Sequence, residues 1–208
     1  MLCGLLIVSV FMLTGPAIER NRAQALERAV FKVLPGAVSK RSWSFDEAGK
    51  LRPATREDSA ADTVHAGFDA RGELVGVAVP GQGMGYQDII SVLFGYAPGT
   101  GTIIGLQVLA SKETPGLGDK IEKDRAFLAN FTALDVGLAS DGRSLAHPVV
   151  AVKNGQKNAA WQVDGITGAT ISSQAIARIL STSGERWLPA IHAQHASMTA
   201  GGGQDDQP

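Results

Sequence analysis

Val64-His65-Ala66-Gly67-Phe68, Asp69-Ala70-Arg71-Gly72, then Leu74-Val75-Gly76-Val77-Ala78-Val79 is the stretch on which the fold turns. Two valine-rich apolar runs flanking a short segment of turn residues read as a β-hairpin. Downstream, residues 103–110 (IIGLQVLA) read as a buried strand, introduced by the Pro98-Gly99-Thr100-Gly101 turn. Residues 149–154 (VVAVKN) and 159–163 (AAWQV) read as a second hairpin around Asn154-Gly155. Helical patterns lie at 119–130 and 172–183. Strands joined as hairpins, with helices elsewhere, predict an α+β fold with a mostly antiparallel sheet and packed helices.

Composition narrows the function by exclusion. The chain has 208 residues and a net charge of −1, from 19 Lys and Arg against 20 Asp and Glu. That balance argues against a basic nucleic-acid-binding face. The single cysteine excludes an intramolecular disulfide framework and a multi-cysteine metal site. His65, His147, His192 and His195 show no HExxH-type spacing. Glycine, 25 of 208 residues, exceeds its usual share of about 7%. Such glycine points to backbone that approaches something closely.

Residues 1–18 (MLCGLLIVSVFMLTGPAI) carry no charge. As a helix they span roughly 27 Å, just short of a hydrocarbon core of about 30 Å. The preferred reading is a transmembrane anchor. The alternative is a secretory signal cleaved near Gly15-Pro16-Ala17, although no basic segment precedes the apolar run. Cys3 reads as an ordinary thiol at the membrane end. Residues 19–36 place Leu26, Val30, Val33 and Leu34 at helical spacing before Pro35-Gly36, a helical stalk. Residues 37–62 read as a loop with a weak strand at Trp43 to Phe45. The domain proper is expected at 37–198, and the polar tail 199–208 is expected to be disordered.

The chemically informative segment is Asp164-Gly165-Ile166-Thr167-Gly168-Ala169-Thr170-Ile171-Ser172-Ser173. A strand ends, small residues follow and a helix begins, so free amides and the positive helix end favour a phosphate or other anion. Thr170 offers a hydroxyl there, but threonine is a poor nucleophile without an activating base. On this reading alone, a plain helix cap with a tight turn is the preferred account of the segment.

Asp164 to Thr170 resembles the Asp-x-x-(Ser/Thr)-Gly-Ala-(Thr/Ser) flavinylation motif of the FMN-binding domain family. At ordinary residue frequencies such a match arises by chance on the order of once in a thousand chains of this length. The segment Lys112-Glu113-Thr114-Pro115-Gly116-Leu117-Gly118-Asp119-Lys120-Ile121 resembles the Glu-Thr-Pro-Gly-Leu-Gly segment of the same family, which lies beside the flavin. The resemblance implies the G subunit of an Rnf-type ferredoxin:NAD⁺ oxidoreductase coupled to ion transport, with the C subunit of the sodium-pumping NADH:quinone reductase as the alternative. It implies FMN joined covalently to Thr170 as a phosphoester by a separate, magnesium-dependent flavin transferase, with Asp164, Thr167, Gly168 and Ala169 as recognition context. Thr114, Gly116 and Leu117 would form a wall beside the cofactor. It also implies a single-pass inner-membrane protein with its domain on the periplasmic side, although Arg20, Arg22 and Arg28 would by themselves pull that side to the cytoplasm. Partners would be the other subunits of a membrane complex. A non-flavinylated exported module is the rival from another class.

Weaker signals complete the reading. Gly81-Gln82-Gly83-Met84-Gly85-Tyr86 lacks a P-loop lysine and reads chiefly as a glycine turn, with Tyr86 a second candidate for the flavin wall. Lys112, Lys120 and Lys123 read as solvated, with stabilisation of a reduced flavin as the sharper alternative. Trp161 reads as core, and His192 and His195 as exposed.

Overall fold

The computed structural model describes residues 2–55 and 57–200. The hairpin at Asp69–Gly72 forms. Gly72 sits at φ 81°, and the Asp69 carboxylate accepts the N–H groups of Arg71 and Glu73 at 2.8 and 2.9 Å. The hairpin joins β3 (Thr63–Phe68) to β4 (Leu74–Met84). Around it lie β1 (Ser39–Phe45), β2 (Leu51–Pro53), β5 (Ile89–Ala97), β6 (Thr102–Ala110) and β7 (Leu134–Asp135). These strands form one antiparallel sheet in the order β2-β1-β3-β4-β5-β6-β7. The α+β expectation holds.

Three local expectations need correction. The segment around Asn154-Gly155 is not a hairpin: β8 (Val150–Val152) and β9 (Gln162–Asp164) pair in parallel. Gly155 does turn at φ 77°, but a second bend follows, where the Gln162 side-chain oxygen accepts the N–H groups of Asn158 and Ala159. Two reversals leave the strands pointing the same way. The glycines at 81 and 83 lie inside β4, not in a turn. A Cβ on Gly81 would stand 2.8 Å from Ile179 Cγ2, and one on Gly83 2.7 Å from Ile179 Cγ1, so these glycines admit a helix close to the sheet. The pattern at 119–130 divides into α2 (Lys120–Lys123) and α3 (Arg125–Ala129). Asp124, extended at ψ 113°, breaks the run and caps α3 by accepting from the N–H groups of Ala126 and Phe127.

Two long helices cover opposite faces of the sheet. α4 (Thr170–Ala200) buries Ile176, Leu180, Trp187, Leu188 and Ile191 against Val77, Val79, Val92, Phe94 and Tyr96. Ile176, Leu180, Trp187 and Ile191 lie four or seven residues apart, one face of an amphipathic helix. The last turns of α1 (Leu2–Val33) cover the other face, where Ala29, Val30, Val33 and Leu34 are buried with Ala78 and Leu93. The segments expected as anchor and stalk thus belong to one helix, α1, whose end lies inside the domain. Gly67, Gly76, Gly95 and Gly105, on four successive strands, make the seat. A Cβ on Gly67 would come within 2.7 Å of Leu34 Cδ1, one on Gly105 within 2.8 Å of the Val33 carbonyl oxygen, and one on Gly95 would overlap that oxygen.

Among the described residues no helix is long and apolar enough to cross a membrane. The Cys3 side chain lies outside those described, as does the expected tail from residue 201; Thr199 and Ala200 continue α4.

Candidate functional site

The segment 164–173 is built as a braced strand–turn–helix junction. Asn130, buried at the end of α3, grips both backbone groups of Asp164. Its Oδ1 accepts the Asp164 N–H at 3.0 Å and its Nδ2 donates to the Asp164 carbonyl at 3.1 Å and to the Phe127 carbonyl at 2.9 Å. The Asp164 carboxylate accepts the Gly155 N–H at 2.7 Å, and the Asn154 amide donates to the Gly165 carbonyl at 3.0 Å. Asp164 therefore closes the neighbouring loop. Gly168, at φ 83°, adopts a conformation that other residues enter at a cost of about 1–2 kcal/mol. The turn closes with the Ala169 N–H on the Ile166 carbonyl at 3.0 Å. Buried Ser173 fixes both ends, its hydroxyl accepting from Ile166 N–H and donating to the Ala169 carbonyl.

Ala169 accepts the first helical bond, from Ser173 N–H at 2.9 Å. The amides of Thr170, Ile171 and Ser172 therefore head α4 without partners inside the helix. Thr170 itself is exposed and stands between two cavities. One, of about 340 Å³, is lined by Thr114, Leu117, Gly168, Ala169 and Thr170, with Tyr86, Glu113, Gly118, Ile171 and Ser172. The other, of about 470 Å³, is lined by Thr167, Gly168 and Thr170 together with Lys153, Asn154, Gln156 and Gln174, among others. Both fall in the range typical of small-molecule sites. No group of acidic, histidine or cysteine residues able to hold a metal ion occurs among the described residues.

The two segments singled out in the sequence thus face each other across the first cavity. Thr114, Leu117, Gly168, Ala169 and Thr170 meet there, Thr167 faces the second cavity, and Asp164 and Gly116 line neither. Gly116, at φ 80°, shapes the 114–118 turn, its N–H bonded to the Asp119 carboxylate at 2.7 Å. The Thr114 hydroxyl accepts from the Gln87 side-chain amide at 3.1 Å. Leu117 is 51% exposed and Tyr86 63% exposed, an apolar rim open to a ligand. None of the three lysines lines either cavity. Lys112 pairs with Asp88 and Lys123 with Asp119 at 2.7 Å, and each lysine, hydrogen-bonded to its carboxylate, holds that carboxyl below the usual range. Trp161 is half-buried and stacks on His147 at 3.8 Å, away from both cavities. His192 is exposed and His195 half-buried.

Two contributors escape a reading by sequence. Asn130 stands 34 positions from the backbone it holds, and its only trace is a polar residue between Leu128 and Phe131. Glu113, 5% exposed, accepts the N–H groups of Tyr86 and Gln87 at 2.8 and 3.1 Å on one oxygen and the Ser172 hydroxyl on the other. It lies within the quoted Glu-Thr-Pro-Gly-Leu-Gly segment, but nothing in the spacing marks it as buried.

The chain is similar to known proteins. The FMN-binding domain family matches residues 85–183. The G subunit of the ion-translocating oxidoreductase complex of Methanosarcina acetivorans is 30% identical over 183 residues, covering 86% of this chain and 83% of that protein. The corresponding protein of Cereibacter sphaeroides is 33% identical over 171 residues, covering 78% and 67%. Among solved structures, the C subunit of the sodium-translocating NADH-quinone reductase of Parabacteroides distasonis superposes with a TM-score of 0.67 at 18% identity, covering 85% of this chain and 96% of that one. That likeness establishes the fold.

Proposed function

Because the chain belongs to the family of the G subunit of ion-translocating, Rnf-type oxidoreductase complexes, which carries the FMN-binding domain, we propose that Thr170 bears FMN through a phosphoester. On this reading the protein relays electrons among the other subunits of its complex. One observation supports it above others: the exposed Thr170 heads a 31-residue helix and is shared by two cavities, one of them walled by the 114–118 turn.

The residues present fit the cofactor. The leading amides and dipole of α4 favour a phosphate at Thr170, and Lys153 adds a positive charge to the wall of the second cavity. Leu117, Tyr86 and Ile171 offer apolar surface for a ring system, while Thr114 supplies a hydroxyl. Bound FMN supplies the electron-carrying chemistry; the protein positions it and leaves one side open to neighbouring carriers. The threonine needs no base of its own if a separate flavin transferase activates the phosphoryl donor.

Membrane anchoring by α1 belongs to the same proposal. Val8, Val10, Phe11, Met12, Leu13 and Ile18 are exposed on this helix, a surface suited to lipid. Seating of its last turns among four glycines would fix the domain relative to the anchor, on the periplasmic side in this reading.

The test is in-gel ultraviolet fluorescence after denaturing electrophoresis of protein co-expressed with a flavin transferase, beside Thr170→Val. A fluorescent wild-type band absent from the variant is expected. No band in either, with the transferase active on a control substrate, would refute covalent FMN and leave Thr170 as a helix cap.

A further inference from the structure

Glu113 is the sole carboxylate among the described residues lining the two cavities at Thr170. It is buried, and three segments converge on it: the Tyr86–Gln87 loop, its own turn and the head of α4 at Ser172. The backbone makes room for it. A Cβ on Gly85 would stand 2.5 Å from Glu113 Oε1, and one on Gly118 2.7 Å from Oε2 and 3.0 Å from Ser172 Oγ. Both oxygens accept hydrogen bonds, two from backbone amides and one from the Ser172 hydroxyl. Of the nearby lysines, Lys112 and Lys123 are turned to Asp88 and Asp119 and line neither cavity, and Lys153 lies in the wall of the second cavity, not the one that Glu113 lines.

We propose that Glu113 is a positioning residue whose buried carboxylate latches the Tyr86–Gln87 loop to the flavin-bearing head of α4 and sets the cofactor's reduction potential low. This rests on the reading of Thr170 as the FMN attachment site. Reduction brings negative charge into the cavity, and a fixed negative charge in its wall opposes that change most strongly where water is excluded. The sign is opposite to that expected from the lysines of the same segment.

The test is a dithionite titration of the FMN-loaded, full-length protein, reading the midpoint potential of wild type, Glu113→Gln and Ser172→Ala. Glutamine keeps an acceptor for the two amides and removes the charge, so its midpoint is expected to rise. Ser172→Ala keeps the charge and removes a hydrogen bond that offsets it, so its midpoint is expected to fall. Midpoints unchanged, or shifted in the same direction in both variants, would overturn the proposal, because a merely structural role moves neither in opposite senses. If Glu113→Gln fails to fold, the fall in Ser172→Ala decides alone. A wild type that takes up no FMN would refute the attachment at Thr170 and this inference with it, whereas a loaded wild type with unmoved variants refutes this inference only.

Discussion

Gly95→Ala places a methyl group where the end of α1 meets the sheet. The new Cβ would overlap the Val33 carbonyl oxygen and lie 2.9 Å from the carbonyl carbon and 3.1 Å from Leu34 Cδ2. Backbone atoms of a docked helix cannot swing aside as a side-chain tip does, so either the sheet strains or the helix end lifts. Strain of this kind costs about 1–3 kcal/mol. Lifting the end exposes Val30, Val33 and Leu34, each fully buried and each contributing about 1.5–3 kcal/mol, so straining is the cheaper response and caps the loss near about 3 kcal/mol. For a chain of this size, a loss of about 1–3 kcal/mol lowers the melting temperature by roughly 2–12 °C. Gly99→Ala is the control, since a Cβ there meets nothing within 4 Å. Thermal unfolding followed by circular dichroism reads the difference. A Gly95→Ala protein melting with the Gly99→Ala control would refute the seating of α1 on the glycine row.

Three further outcomes follow from the same contacts. His65 is buried with Nδ1 on the Ser42 hydroxyl and Nε2 without a partner, and burial, with Lys40 adding to it, pushes its pKa down to about 4. The folded state therefore disfavours the proton. Its contribution is intact above the unfolded value of about 6.5 and is lost as pH falls toward 4, at most about 3 kcal/mol. Urea unfolding at pH 4.5 and 7 should show this loss in the wild type and much less of it in His65→Gln; equal losses would contradict the assignment. Asn130→Ala leaves the Asp164 amide and carbonyl without their partner, at about 1–3 kcal/mol for each buried group left unsatisfied, and should both lower the melting temperature and reduce flavin loading. Normal loading in a destabilised variant would separate the brace from the site. Ser173→Ala removes the acceptor for the Ile166 N–H and should destabilise by a similar amount, read by urea unfolding; an unshifted midpoint would show that the turn holds without it.

How far the sequence speaks depends on the range of each interaction. The Asp69–Gly72 hairpin is local, its chemistry contained in a few consecutive residues, and it was legible. The Asn154-Gly155 turn is equally local, but the direction of the next strand is decided by Gln162 capping a second bend, which turn propensity does not encode. β5, whose run 89–97 follows the glycine-rich segment without a clear break, has no counterpart among the expected strands. The glycines of the seat carry no signal alone; their meaning appears only when four strands place them side by side beneath Val33 and Leu34. At the site, the flavinylation segment and the Thr114–Gly118 turn were visible because each is contiguous. The roles of Glu113 and Asn130 are not legible in the sequence, because they depend on burial and on partners up to 59 and 34 positions away.

The most direct test of the account is mass analysis of the tryptic peptide spanning residues 158–178, which contains Thr170, from protein matured with a flavin transferase. The account predicts that this peptide gains the mass of one FMN less one water, with fragment ions placing the addition on Thr170. An unmodified peptide, or an addition on Thr167, Ser172 or Ser173, would contradict it.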